Sequence, residues 1–463
     1  MRRLFTIAAL LLSGFAVAQD ISLPDYDRVV LDNGAVLLLA EKHDVPLVGL
    51  QAVVRGGTAA DPVERAGMAS LLATLLEKGA GDRDAATFAE AAAAVGGSIG
   101  AGAEMESFTI MADFLSRDAE LMIELVADML MRPTLAEEEF VKEQQRSIAL
   151  LQAAKGSNPR ALMRSYGNAF LFGDHPYGNP PYGSEESLAG ITHDELVQHY
   201  ENHFGGDRLI VSVVGDFDID AMRTKLTGVF GGWRAAASEL APVESLERVS
   251  GRRVLLVDKP SATQTYFLIG NVGVAIDYAQ RAEMQLANTL FGGRFTSMLM
   301  TALRTEGGLT YSASSSVSRY SAAGPVFINS YTQTATTIEA IDLAIEKLGA
   351  LHRRGFSEDM IESARNYIMG QFPPTLEPAA SLANMFAYLE LNGLDRSYID
   401  AYGAALEAAT PVTLHNAISE VYPAADDLVI VLIGDAEAIR EAVTKYGPVT
   451  EVSITEPRFR VYQ

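Results

Sequence analysis

The chain contains no cysteine and a single tryptophan among its 463 residues. Without cysteine it forms no disulfide bond and offers no thiolate to a metal, so its stability has to come from a buried core. Positive charge is also scarce, since 36 lysines and arginines stand against 59 aspartates and glutamates, a formal net charge of −23. Proteins that bind nucleic acid normally present a basic face, so this composition predicts that nucleic acid is not a partner.

Long hydrophobic runs are absent too, which argues against a membrane span, since a span takes roughly 20 apolar residues. The apolar stretch Leu4–Leu12 is too short; it follows Arg2 and Arg3 and precedes the small-residue motif Ala16-Val17-Ala18. This is the pattern of a signal peptide, residues 1–18, that is cleaved after Ala18. We therefore expect an exported protein that is periplasmic in a bacterium, with the general secretory and twin-arginine routes both open.

The rest of the chain mixes strand patterns with helix patterns. Asn33-Gly34 is a favoured tight turn, and the apolar segments on either side of it predict a hairpin. Because strands and helices do not strictly alternate, the pattern predicts an α+β fold. Strands are predicted at 28–31, 35–39, 48–54 and 107–114, and helices at 65–78, 85–94, 117–130 and 136–155.

Two segments recur later in the chain at nearly the same distance. Asp207–Asp216 aligns without a gap with Asp426–Asp435, 219 positions on, and Leu135–Phe140 aligns with Phe356–Ile361, 221 positions on. Two matched segments at nearly the same offset predict two homologous domains joined by a linker. The predicted domains are residues 19–234 and 248–463, and the predicted linker is 235–247.

The segment Gly67–Ala80 reads G-M-A-S-L-L-A-T-L-L-E-K-G-A. It resembles the active helix of the insulinase-type (pitrilysin-family) metallopeptidases, which there carries the inverted zinc motif H-x-x-E-H. The resemblance spans nearly the whole mature chain, and it implies two homologous domains like those of mitochondrial processing peptidase subunits, each a mixed, mostly antiparallel β-sheet packed against helices. Further motifs that resemble the family follow in the same order at Leu31–Gly34, His175–Gly178, Gly183–Leu188, Gly292–Ser297 and Leu303–Ser312.

The zinc motif itself is degenerate. In the family, two histidines four apart on a helix bind one ion, a glutamate beside them activates the bound water, and a distant glutamate completes the ligands. The resemblance places the two histidines at Ser70 and Thr74, the first glutamate at Ala73 and the distant one at Leu150 or Leu151. Hydroxyl groups are poor zinc ligands, and aliphatic side chains cannot bind zinc at all. The sequence therefore predicts no metal and no other cofactor in this chain.

A second histidine pair, His199 and His203, also has the spacing of a helical metal site. The glutamate between them, Glu201, is in the wrong place for either zincin order, and no third ligand is evident nearby. We interpret the pair as part of a solvated helix face.

Arg304 and Tyr311 are retained within the second-half motif. The resemblance implies that they bind the substrate carbonyl and stabilise the oxyanion, because a fixed cation and a phenol donor are then aimed at developing negative charge. The structural alternative is that Arg304 pairs with Glu306 or another neighbouring residue and that Tyr311 packs in a strand.

The resemblance also implies two peptide-binding segments. Gly292-Gly293 corresponds to a flexible loop near the bound peptide. Gly100-Ala101 lies in the segment 97–101, which corresponds to an edge strand that pairs with substrate through backbone hydrogen bonds.

Loss of the zinc site together with retention of the arginine and tyrosine indicates a division of labour. Two-domain chains of the family act as dimers, and some dimers pair a zinc-bearing chain with a zinc-less one. The sequence therefore predicts the zinc-less subunit of a periplasmic peptidase, in which Arg304 and Tyr311 complete the active site of a zinc-bearing homologous partner and unfolded or short peptides are the substrates. The alternatives are a peptide-binding or scaffolding protein of the cell envelope, and an active peptidase that uses His199 and His203.

Overall fold

The computed structural model describes residues 22–460, so the predicted signal peptide lies outside the described residues. Two helical segments, Thr289–Gly293 and Thr301–Glu306, are of the π type. The strands are β1 (Asp27–Val30), β2 (Val36–Glu41), β3 (Leu47–Arg55), β4 (Gly79–Ala80), β5 (Arg83–Asp84), β6 (Ser98–Ala103), β7 (Ser107–Leu115), β8 (Leu209–Gly215), β9 (Arg253–Asp258), β10 (Gln264–Val272), β11 (Ala313–Val317), β12 (Pro325–Gln333), β13 (Val429–Gly434) and β14 (Val449–Ser453). The α-helices are α1 (Met68–Leu76), α2 (Ala85–Ala94), α3 (Ala119–Met131), α4 (Glu137–Ser157), α5 (Met163–Phe172), α6 (Glu185–Gly190), α7 (His193–His203), α8 (Ile219–Phe230), α9 (Arg281–Asn288), α10 (Met298–Met300), α11 (Thr337–Arg354), α12 (Glu358–Gln371), α13 (Ala379–Leu391), α14 (Ser397–Asp400), α15 (Tyr402–Ala408), α16 (Pro411–Val421) and α17 (Ala436–Val443).

The first half folds around a six-stranded sheet in the order β1-β2-β8-β3-β7-β6. Neighbouring strands pair antiparallel, except for β2 with β8. The predicted hairpin is present, and Gly34 in its turn has a φ of 92°, a value that glycine adopts without a steric penalty. One face of the sheet packs against α1, α3, α7 and α8 around a core that includes Leu50, Phe108 and Val211.

The second half repeats this sheet in the order β11-β12-β10-β13-β9-β14. The recurring sequence segments form the equivalent strands β8 and β13, each between an antiparallel and a parallel neighbour. The sixth strands differ, because β1 joins its sheet antiparallel whereas β14 joins parallel. The predicted α+β fold, with two mixed and mostly antiparallel sheets packed against helices, is confirmed.

The two halves exchange a helix across their junction. Helix α13 of the second half packs on β3 and β8 of the first sheet, and α5 of the first half packs on β10 and β13 of the second. The sheet residues Leu38 and Val214 therefore share one hydrophobic core with Leu382 and Phe386 of α13. Apolar burial, the dominant stabilising term in folding, is thus continuous across the junction.

The segment between α8 and β9, which contains the predicted linker, has neither helix nor strand. Its side chains Val243, Leu246 and Val249 pack against the core beneath α5. Among residues 22–460, no helix is long and apolar enough to cross a membrane.

Candidate functional site

Helix α1, which carries the degenerate zinc motif, is fixed at its N-terminus by a buried carboxylate. Asp61 accepts hydrogen bonds from the backbone N–H groups of Gly67 and Ala69, both at 2.9 Å. Burial raises the pKa of Asp61, and these N–H donors act in the opposite direction. Gly67 has a φ of 94°, and a Cβ there would lie 2.6 Å from the backbone of Gly183, so two of the recognised motifs meet at this turn.

Ser70, Ala73 and Thr74 lie together on α1, but their polar groups are already engaged. The Ser70 hydroxyl donates to the Pro181 carbonyl oxygen at 2.7 Å, and the Thr74 hydroxyl donates to the Ser70 carbonyl oxygen at 3.0 Å. Ala73 is buried in the core. The Thr74 bond is the local i−4 contact that is frequent for Thr within helices, whereas the Ser70 bond joins α1 to a distant loop.

The distant ligand position falls on α4, which packs beside α1. Leu150 projects outward with 61% of its surface exposed, whereas Leu151 is partly buried against the core. No group of three or more His, Asp or Glu side chains within residues 22–460 is arranged to hold a metal. The donor set required for zinc, with two imidazoles and a carboxylate, does not fit the side chains at these positions.

A cleft of about 730 Å³ opens beside the degenerate motif. Its floor is the part of β3 and β7 that α13 leaves uncovered, and one end is formed by Pro181 and Tyr182, next to Ser70. The opposite wall comes from the second half and includes Arg319 and Asn384. The cavity is large enough for several residues of peptide, and Ser70 is connected to its rim by the hydrogen bond to Pro181.

The free edge of the first sheet, where a peptide was expected to pair, is engaged by the chain itself. Strand β6 ends this sheet, and Gly100 and Ala101 lie at its centre. The Ala101 N–H points away from β7 and donates to Glu77 Oε1 at 2.6 Å. An added strand would need this donor, so Glu77 occupies part of the expected peptide-binding edge. Glu77 was not among the predicted site residues, because its contact joins the end of α1 to β6 and no sequence motif links these two elements.

On α7, His199 is buried and His203 is partly buried, so the prediction of a solvated helix face is wrong for His199. Only 5% of His199 is exposed, its Nε2 lies 3.7 Å from Asp61 Oδ1, and its ring lies 4.3 Å from that of His203. Burial, aided by the charge of His203, lowers the pKa of His199 to about 3. Burial, aided by Arg208, lowers the pKa of His203 to about 4. Because α7 packs against α1, the pair belongs to the support of that helix.

Arg304 and Tyr311 are brought together in the second half. The guanidinium carbon of Arg304 lies 4.3 Å from the Tyr311 ring centre and 4.8 Å from that of Phe295. Within the described chain the Arg304 side chain has no ion pair, with Glu306 or any other residue. Tyr311 is 71% exposed and lies outside the strands. Both expectations of the structural alternative are therefore wrong.

Two π-helical segments position this group. Arg304 lies in the segment Thr301–Glu306, and Gly292 and Gly293 end the segment Thr289–Gly293. Gly292 is buried, and a Cβ there would lie 2.6 Å from the Ser315 hydroxyl oxygen on β11. The expectation of a flexible loop is thus wrong for Gly292, which lies in a packed helical turn, whereas Gly293 is exposed. Phe295 was overlooked as a site residue, although it lies within the motif Gly292–Ser297.

The chain is similar to known proteins of one peptidase family. The family model for insulinase (peptidase family M16) matches residues 36–183, and the model for the peptidase M16 inactive domain matches residues 190–368. In solved structures, the fold is similar to a peptidase M16 inactive domain from Pseudomonas fluorescens, with a TM-score of 0.83 and 21% identity over 89% of this chain and 98% of that one. It is also similar to a protease from Helicobacter pylori, with a TM-score of 0.81 and 17% identity over 89% of this chain and 100% of that one.

The curated relatives include both peptidases and a protein named as a non-peptidase. An uncharacterised zinc protease of Mycobacterium leprae is 28% identical over 71% of this chain and 74% of its own length. The non-peptidase homolog YmxG of Helicobacter pylori is 24% identical over 75% of this chain and 80% of its own length. With two models of one family matched along most of its length and the fold shared throughout, this chain belongs to the insulinase family, peptidase family M16.

Proposed function

We propose that this chain is the zinc-less subunit of a periplasmic M16 peptidase and that it supplies Arg304 and Tyr311 to a zinc-bearing homologous partner. The observation that carries the proposal is the state of Arg304. Its guanidinium has no acidic partner among residues 22–460, and it lies against an exposed Tyr311 in a chain whose own zinc positions are Ser70, Ala73 and Thr74.

The position of the pair supports a role toward a second chain. Neither Arg304 nor Tyr311 lines the cleft beside the degenerate motif. Because both side chains lie outside that cleft, they do not line the space in which the first half would hold a peptide. Placed against a partner's active site, the Arg304 N–H groups and the Tyr311 hydroxyl donate hydrogen bonds to the carbonyl oxygen of a bound peptide, where negative charge develops during hydrolysis.

The substrates in this proposal are unfolded or short peptides, because an enclosed chamber between two such chains excludes folded proteins. The zinc belongs to the partner, since the hydroxyls of Ser70 and Thr74 are engaged with backbone carbonyl oxygens and Ala73 has no donor atom. Periplasmic location follows from the predicted signal peptide at residues 1–18 and is part of the proposal.

The test is a native pull-down of the tagged mature chain from periplasm, followed by identification of the co-eluting proteins. The eluate is assayed for zinc and for cleavage of an unstructured peptide. The variant Arg304→Ala/Tyr311→Phe is compared with Arg117→Ala, which removes the same charge from an exposed side chain of the first half. Loss of one oxyanion donor typically lowers kcat by roughly 10²–10³.

The proposal expects a zinc-bearing homologue in the eluate and a fall of at least that size in the double variant. The complex itself should persist, and Arg117→Ala should cleave at the wild-type rate. A chain that elutes alone, without zinc or activity, contradicts the proposal. So does a complex whose activity is unchanged in Arg304→Ala/Tyr311→Phe.

A second candidate is a peptide-binding or scaffolding protein of the envelope without a role in catalysis. The observation in its favour is the relative named as a non-peptidase homolog, together with the Glu77 contact that occupies the edge of β6. This candidate predicts complexes that lack a zinc-bearing M16 chain. The same pull-down therefore separates the two candidates.

A further inference from the structure

Arg304 is in contact with two aromatic rings, and the family resemblance assigns a role to only one of them, Tyr311. Phe295 is 62% exposed, and its ring centre lies 4.8 Å from the Arg304 guanidinium carbon. Tyr311 is nearer, at 4.3 Å, and is more exposed. A guanidinium within about 6 Å of a ring centre is attracted by the ring quadrupole, and stacking leaves its N–H groups free to donate in their own plane.

The backbone that carries Phe295 is firmly held. Its neighbour Arg294 donates from Nη1 to the hydroxyl and the carbonyl oxygen of Ser363 on α12, at 3.1 and 3.3 Å. The buried Ser297 closes the turn, since its N–H donates to the Arg294 carbonyl oxygen at 3.0 Å. The Phe295 ring therefore projects from a fixed turn and offers a stable surface to a flexible side chain.

A long arginine side chain loses conformational entropy when it is held in one orientation. Ordering this side chain restricts its many rotamers, and Arg304 has no ion pair in the described chain that would hold it. The two rings are the only side chains of the described residues that contact its guanidinium as partners. Tyr311 needs its hydroxyl for the substrate, whereas Phe295 has no polar atom and contributes only its ring.

We propose that Phe295 is a positioning residue, which holds the Arg304 guanidinium in the orientation from which it donates to the peptide carbonyl oxygen. This inference rests on the proposed function for its catalytic consequence. The contact between Phe295 and Arg304 is a property of this chain alone, so it is measurable without a partner.

The first test is made on the isolated chain with ¹⁵N-labelled arginine. The Arg304 Nε–Hε resonance is assigned by its absence in Arg304→Ala. A ring current displaces this resonance in the wild type, so it should move toward the free-arginine position in Phe295→Leu and stay displaced in Phe295→Tyr, which keeps the ring. A resonance that is the same in Phe295→Leu and in the wild type overturns the inference, whatever the catalytic result.

The second test is a double-mutant cycle on peptide cleavage by the pulled-down complex. We expect Phe295→Leu to lower kcat/KM roughly two- to five-fold, the range of an exposed cation–π contact, and Phe295→Tyr to retain the wild-type value. In the Arg304→Ala background, Phe295→Leu should have no further effect. Thermal melting of each variant checks that the fold is unchanged.

The outcomes separate the two proposals. If Arg304→Ala leaves cleavage unchanged, the proposed function fails. If Arg304→Ala lowers cleavage but Phe295→Leu has no effect, or lowers it equally in the presence and absence of Arg304, the proposed function stands and the positioning role of Phe295 is overturned.

Discussion

At the scale of single residues, one carboxylate limits what the first half can bind. Glu77 accepts a 2.6 Å hydrogen bond from the Ala101 N–H on the free edge of β6. A peptide that adds a strand to this edge has to displace it. The degenerate zinc positions and the occupied edge both favour the proposal that catalysis takes place on a partner chain.

Replacing Glu77 with alanine should open this edge. The Ala101 N–H then becomes available to a peptide carbonyl oxygen, and one net hydrogen bond is worth about 1 kcal/mol, which is roughly a five-fold gain in affinity. The measurement is fluorescence anisotropy of a labelled, unstructured peptide with the isolated chain. Glu90→Ala on α2 is the matched control, because it removes the same charge from an exposed position. Equal affinities for Glu77→Ala and Glu90→Ala would show that peptides do not use this edge.

The buried imidazole of His199 should make the protein sensitive to acid. Burial lowers the pKa of His199 to about 3, well below the value of about 6.5 expected in the unfolded chain. Between these values the unfolded state binds a proton that the folded state excludes, so the free energy of unfolding falls as pH falls from about 6.5 toward 3.

His199→Gln removes the titrating imidazole, so the free energy of unfolding should depend less on pH in this variant. The slope for one proton is about 1.4 kcal/mol per pH unit. Urea unfolding of both proteins from pH 8 to pH 4.5 gives the comparison, and the values at pH 8 report the packing cost of the substitution. Below about pH 6.5 the wild type should lose stability relative to the variant. Parallel curves would mean that His199 binds its proton equally well in the folded and unfolded states.

Much of the site was predictable at this scale, because the resemblance to the family places its zinc-ligand positions on this sequence. Ser70, Ala73 and Thr74 follow from a helix register, and Arg304 with Tyr311 from a motif. The burial of His199 was not predictable, since an i, i+4 pair does not state which helix it will meet. Phe295 and Glu77 were missed because their roles depend on contacts between elements that are separate in sequence.

At the scale of elements, a close backbone contact joins β3 to α13. A Cβ on Gly49 would lie 2.5 Å from the Ala380 Cα, so the helix N-terminus rests directly on the strand backbone. Helices prefer to pack closely on a sheet where a side chain is missing. The sequence predicts β3 as an apolar strand. Its pattern does not predict that α13, more than 300 residues later in the chain, packs on it.

Gly49→Ala should therefore loosen α13 from the first sheet. The added methyl group contacts backbone atoms, which cannot move aside by a change of rotamer. Overpacking of this kind lowers the free energy of unfolding by about 1–3 kcal/mol. The control is Gly102→Ala on β6, where the nearest atom is the Thr109 hydroxyl oxygen at 3.5 Å, an ordinary contact. Chemical denaturation of both variants is the measurement. Equal stabilities would show that α13 shifts on the sheet without cost.

At the scale of the whole molecule, two homologous halves are joined by a mutual exchange of helices. The sequence repeats predicted two homologous domains, because one strand segment and one helix start recur at nearly the same offset. They did not predict the exchange of helices. The sequence pattern of a helix such as α5 or α13 indicates which of its faces is buried, but not which sheet that face packs against. Each sheet depends on the other half for the cover of its second face.

This dependence predicts that the chain unfolds in one transition, although proteins of this length with two similar halves often unfold in steps. Trp233 is the only tryptophan, is 5% exposed in the core of the first half, and reports on that half by fluorescence. Far-UV circular dichroism reports on both halves. Removal of α13 would expose the apolar face of β3 and β8, so the first half has no stable state without the second.

The urea midpoints from fluorescence and from circular dichroism should therefore coincide. Gly49→Ala should lower both midpoints by the same amount, because the contact that it disturbs belongs to both halves. If Trp233 becomes exposed before a separate second transition in circular dichroism, the halves are independent units that merely touch. In that case the exchange of α5 and α13 would contribute too little to couple them, and a subunit of this kind would be able to lose one half and keep the other folded.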